Sequence, residues 1–324
     1  MTSKVDAAQI LDMSQVLLRH KHLIQLIHIF TMKKQPDNFM TELHRLLENQ
    51  EFKSTEEAQQ FMNGLMEHGM PPFSPEALSE KEQAQNLVFD AYELRPNQAK
   101  ENIETALLLD PDCIEAYEFL GDIEDSLPVS MVFYEKAIAL GRREFGGEFL
   151  EEYKGEFWGF YKTRPFMRCL QHQAECFHLI GKIEESVAIL EEMLELNPND
   201  NQGARDHLLL LLVQLGETKQ FKKYDEMFKE DVSAFACFNR TLFTFKTEGE
   251  TQRANALLSQ AIRENKYIVT RLLSPREILD APDGYALGSK EDATCYADFA
   301  KQAWTSTDGA LEWLKKRTAK SSRK

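Results

Sequence analysis

Residues 157–168 read "FWGFYKTRPFMR", crowding aromatic rings, a proline and three cations into one short stretch of an acidic chain. Trp158 and Tyr161 offer large rigid contact area, and Arg164 and Arg168, four apart on one helix face, offer bidentate anion contacts. Together these four form a candidate partner-binding set. The alternative is that Phe157, Trp158, Phe160 and Tyr161 pin an insertion onto neighbouring helices while the arginines pair with the acidic run "EFLEEYKGE" just before them. A second candidate is the stripe Glu115, Glu118, Asp122 and Asp125, whose spacing of three, four and three places every carboxylate on one helix face. It suits a basic peptide, and it equally suits a solvated face.

Metal and catalytic chemistry have weaker carriers. Cys169, His172 and Cys176 share a helix face and would need a fourth ligand such as His207 or Cys237 to hold zinc. Their spacing is also that of an ordinary apolar stripe, where free Cys packs as a small hydrophobe, so no metal is expected. "NPNDNQG" at 197–203 resembles a calcium loop, but its Gly comes one place late and no Glu stands at the twelfth position. A helix-entry turn capped by Asp200 or Asn201 is expected instead. The two His of "RHKH" at 19–22 point to different helix sides. The chain has no Gly-rich phosphate loop, GxSxG elbow or HExxH. No catalytic residue and no cofactor are expected; the alternative is a cryptic or metal-dependent enzyme using the insertion and a groove.

What must position these residues follows from composition and period. The chain has 324 residues with 38 Lys and Arg against 53 Asp and Glu, a net charge of −15. That balance disfavours nucleic acid as partner, because phosphate binding runs on clustered cations. The basic tail "KKRTAKSSRK" reads as a solvated terminus. Five Cys form no CxxC pair, which points to a reducing compartment. The N-terminal segment lacks the features of a signal peptide, and no run approaches the ~20 apolar residues of a membrane span, so a cytoplasmic protein off the membrane is expected.

"ALLLDP" at 106–111 and "MLELNP" at 193–198 end in the manner of a tetratricopeptide (TPR) unit, whose period is about 34 residues. Gly181, Gly216 and Gly249 recur at that period, and "CIEAYEFLGD" supplies the aromatic and Leu-Gly of a first helix. The expected fold is an all-α, TPR-like alpha-alpha superhelical solenoid with helical caps. Its expected parts are an N-terminal helical region over 1–69, a linker over 70–79, five repeats over 80–268 with an insertion at 142–166, a C-terminal helical cap over 269–315 and a basic tail over 316–324. Thr163 is a candidate N-cap and Pro165 a first-turn proline where the chain re-enters the repeats. The expected groove positions Asn239, Lys246, Glu175 and Asp206 mix both signs, which is no clean clamp for a carboxylate.

"GEFWGFYKTRPFMRCL", "LNPNDNQGARDHLLLLL", "EDVSAFACFNRTLFTF" and "TSTDGALEWL" resemble, in this order, a widespread family of soluble bacterial TPR proteins of unassigned biochemical role. The resemblance covers about residues 52–315. It implies an interaction scaffold that binds a protein or peptide in a concave groove, and it transfers no catalytic residues. "ENKYIV" and "GSKEDATCYA…GALEWL" are more faintly similar to the eukaryotic suppressor-of-tumorigenicity family. Members of that family are membrane-anchored, a property not carried to this chain.

Overall fold

The computed structural model describes residues 55–68, 78–275 and 286–321. Most of the N-terminal helical region expected over 1–69, the "RHKH" pair, all but the last two residues of the linker expected over 70–79 and the last residues of the basic tail lie outside them. Among the described residues the regular structure is entirely helical. Helix α1 spans Thr55–His68. Five helix pairs follow: α2 Glu80–Ala91 with α3 Pro96–Leu109, α4 Ile114–Ile123 with α5 Leu127–Glu144, α7 Arg164–Leu179 with α8 Ile183–Leu196, α9 Ala204–Leu215 with α10 Thr218–Met227, and α11 Ala234–Glu248 with α12 Gln252–Glu264. The short α6, Glu148–Tyr153, lies between α5 and α7. Helices α13 Tyr267–Leu272, α14 Lys290–Ser306 and α15 Ala310–Ser321 complete the chain. Each of the five pairs is two helices joined by a short turn, the unit that the repeat period leads one to expect.

Local sequence explains where the helices start and stop. Ser79 and Glu82 close a capping box on α2, Pro96 stands in the first turn of α3, and Ser233, Thr251 and Ser289 cap α11, α12 and α14 through their hydroxyls. Gly181, Gly216 and Gly249 end first helices with φ of 79°, 78° and 74°, a conformation that costs glycine nothing and a branched residue a good deal.

The described residues form two compact units. One comprises 55–153 and 157–169. Its core joins Ala84, Val88 and Ala91 of α2 to Ala99, Ile103 and Ala106 of α3 and Ala116 and Phe119 of α4. Small side chains at these positions let the helices approach, and each buried Val or Ile adds about 1.5–3 kcal/mol. Gly121 and Gly141 carry the same logic further: a Cβ on either would overlap the buried ring of Tyr134 or Phe166.

The other unit comprises 154–156 and 170–321. Its C-terminal helices are tied to the repeats by the motif residues. Trp313 of "GALEWL" stacks on Phe245 with centroids 4.4 Å apart and donates Nε1–H to Asn255 at 3.0 Å. Asn265 of "ENKYIV" donates to the Ser289 carbonyl and to the Asp292 carboxylate, both at 2.9 Å. Two of the segments behind the fainter resemblance, "ENKYIV" and "GSKEDATCYA", therefore hold each other.

A candidate binding cleft

Between α5 and α7 the chain turns through α6 and two 3-10 turns, Phe157–Gly159 and Tyr161–Thr163. Phe145, Phe157 and Phe166 are buried beneath it. Phe149, Tyr153 and Phe160 extend that cluster outward, with centroid separations of 4.9 Å for Phe149–Tyr153 and 4.7 Å for Tyr153–Phe160 in edge or tilted geometry. The Thr163 hydroxyl donates back to the carbonyls of Phe157 and, at 2.8 Å, Phe160, tying the two 3-10 turns together just before α7.

The arginines differ from expectation in a way that joins the two candidate sets. Arg168 does not face a cleft: its side chain is 11% exposed, and its guanidinium donates from Nη2 to Glu118 at 2.7 Å and Glu115 at 3.2 Å, and from Nε to Glu118. Glu115 and Glu118 are 3% and 1% exposed, and Glu115 also accepts from Gln85. The buried half of the acidic stripe is thus the partner of Arg168, not of "EFLEEYKGE". Further along the stripe Asp122 accepts from the Tyr134 hydroxyl at 2.9 Å, while Asp125 is exposed. Arg164 donates Nε–H to the Trp158 carbonyl at 3.2 Å and lies 5.5 Å and 5.9 Å from the Trp158 and Tyr161 ring centroids. Trp158 and Tyr161 are half-buried; Phe157 is the fully sheltered anchor.

What does open to solvent is a cleft of about 600 Å³ between α2, the α3–α4 turn, the end of α5 and the insertion. Half-buried Phe149, Tyr153, Phe160 and Tyr161 form one side. Glu82, Asp110, Asp112, Glu115 and Glu144 also line the cleft, together with Lys81 and Lys162. Lys81 pairs with Glu144 at 2.6 Å, Arg143 pairs with Asp112, and Lys162 Nζ lies 4.9 Å over the Phe149 ring. The Arg143 guanidinium bonded to Asp112 holds that carboxyl below its usual range. Of the eight residues singled out from sequence, Tyr161 and Glu115 line this cleft. The rest of its lining had no signal in spacing alone, because it comes from four separate segments.

In the second unit the corresponding positions are taken. Asn239 is fully buried; it donates to the Asp206 carbonyl at 3.1 Å and accepts from the Tyr296 hydroxyl at 3.2 Å, which in turn accepts from Trp304 at 3.0 Å. Lys246 donates to the carbonyls of Val213 and Gln214 at the end of α9. His207 and His178 face each other at 3.0 Å with Phe299 of α14 against both rings. Helix α14 covers these first-helix positions.

Cys169 and Cys176 are buried, and burial pushes the Cys169 thiol well up. Both carboxylate oxygens of Asp200 accept from the first amides of α9, Ala204 at 2.7 Å and Arg205 at 3.1 Å. Among the described residues no group of three or more potential ligands converges.

Asp206 titrates unusually. Burial pushes its carboxyl up to about 7 against the pull of Arg205, and Oδ1 has no hydrogen-bond partner. The folded state therefore keeps a proton that the unfolded chain gives up near pH ~4. Stability present below that pH is lost as pH rises to about 7, by on the order of 2 kcal/mol after discounting for partial exposure. Asp206→Asn should flatten this fall, read from denaturant melts at acid and neutral pH. An unchanged slope would refute the assignment.

No family model matches the chain. It is similar to the suppressor of tumorigenicity 7 protein-like of Gallus gallus, 23% identical over 233 residues that cover 64% of this chain and 42% of that protein. The chain thus spans less than half the length of this curated relative. Among solved structures it is similar to YrrB, a TPR protein with an unusual peptide-binding site, with a TM-score of 0.42 and 20% identity over 63% of this chain and 91% of that one. No described helix is long and apolar enough to cross a membrane.

Proposed function

We propose that this chain is a non-enzymatic interaction module that binds a peptide segment of a partner protein in the cleft beside the insertion. The observation that carries this reading is the aromatic side of that cleft: four half-buried rings open onto about 600 Å³ of space. Pockets of this size with apolar walls and a few polar groups are the usual form of a ligand site, and aromatic anchors dominate binding energy at protein interfaces. Tyr161 and Glu115 keep a binding role in this proposal, whereas Trp158 and Arg164 shape the insertion and Arg168 with Glu118 holds the floor. Five free thiols, four of them buried, suit a reducing cytoplasm.

The test is selection of peptides from a random display library on the purified full chain, followed by binding to Phe160→Ala and Tyr153→Ala variants. Peptides should lose most of their affinity for both variants while the melting temperature moves little. Selected peptides that bind the variants as well as the parent would place the site elsewhere.

A further inference from the structure

We infer that the cleft takes a basic segment, seating a Lys or Arg side chain of the partner between its aromatic wall and its acidic edge. The inference rests on the reading of the cleft as a peptide site and names the chemistry of its occupant. Three observations lead to it. The lining is rich in aromatic rings, whose faces attract cations through their quadrupole, as Lys162 over Phe149 illustrates. The lining also includes Asp110, Asp112 and Glu144, whose charges complement a cation on an apolar stem. Cations of the chain itself already use both features: Lys162 lies over Phe149, and Lys81 reaches Glu144.

These internal cations are easily displaced. Lys81 and Arg143 have side chains 65% and 63% exposed, and exposed pairs of this kind are worth little. A partner side chain that arrives with backbone and ring contacts of its own can take their places. An acidic segment would meet Glu82, Asp110, Asp112, Glu115 and Glu144 along the lining, and the buried cation beneath, Arg168, is already committed to Glu115 and Glu118. The net charge of −15 also steers basic partners toward the chain at low salt.

The experiment uses the full chain and fluorescein-labelled short peptides of one neutral frame with a central Lys, Arg, Glu or Gln pair, read by anisotropy. The Lys and Arg peptides should bind, and added salt should weaken them. Asp112→Lys with Glu144→Lys should weaken them about tenfold or more, as expected for reversed charges facing a ligand cation. Lys162→Gln, which removes the internal occupant of the ring face, should tighten them severalfold. If Glu or Gln peptides bind equally well or better and lose affinity in Phe160→Ala, the basic specificity is wrong and the peptide site stands. If no peptide of any charge binds, both readings fall.

Discussion

Arg168→Ala should lower the free energy of unfolding by about 3–5 kcal/mol, the range for removing one partner of a buried ion pair. The loss comes less from the missing guanidinium than from what it leaves behind: Glu115 and Glu118, almost wholly buried, without the charged donor their oxygens accept from. Arg168→Lys keeps the charge and loses the planar fork, so it should fall between parent and Ala. Combining Arg168→Met with Glu115→Gln and Glu118→Gln should recover much of the stability, since no charge then remains buried. Denaturant midpoints at neutral pH give the comparison. An Arg168→Ala melt within about 1 kcal/mol of the parent would show that water reaches the two carboxylates and that the cluster is not a folding element.

Trp304→Ala should cost a similar about 3–5 kcal/mol, the usual range for emptying a buried Trp site. Trp304 has no exposed surface, packs edge-on near Phe238 with centroids 6.3 Å apart, and begins the hydrogen-bond series through Tyr296 to Asn239 and the Asp206 carbonyl. The series connects α14 to α11 and α9, so the damage should be local. Amide exchange should accelerate first in α14 and α15 and least in α2 and α3. Uniform acceleration along the whole chain would mean that the C-terminal helices are no separate opening element.

Local rules made the helix pairs legible. The Gly at three of the turns, the Ala at 99 and 106 and the Pro that close repeats are choices a segment makes about its own backbone and its next neighbour, and these show in one stretch of sequence. Ser79 with Glu82 is a helix start readable in the same way. The candidate site was legible only in pieces. Spacing puts Glu115 and Glu118 on one face, and separately Arg164 and Arg168 on another, but it contains no term that brings residue 168 to residue 118. Pairing across fifty positions is decided by how helix pairs stack, so two sets read as surface turned out to satisfy each other. The same holds for α14. Its sequence announces a helix, while its position over His207 and Asn239 depends on the shape of aromatic side chains that no period encodes.

The ties around α14 also bear on how the chain tolerates change. Ser274 is held by Lys301 at 2.8 Å, and Ser289 and Gly288 are held through Asn265 and Asp292. The segment leading into α14 and the body of the helix are therefore fastened at separate points, and a substitution that removes one tie should leave the other to hold α14 in place.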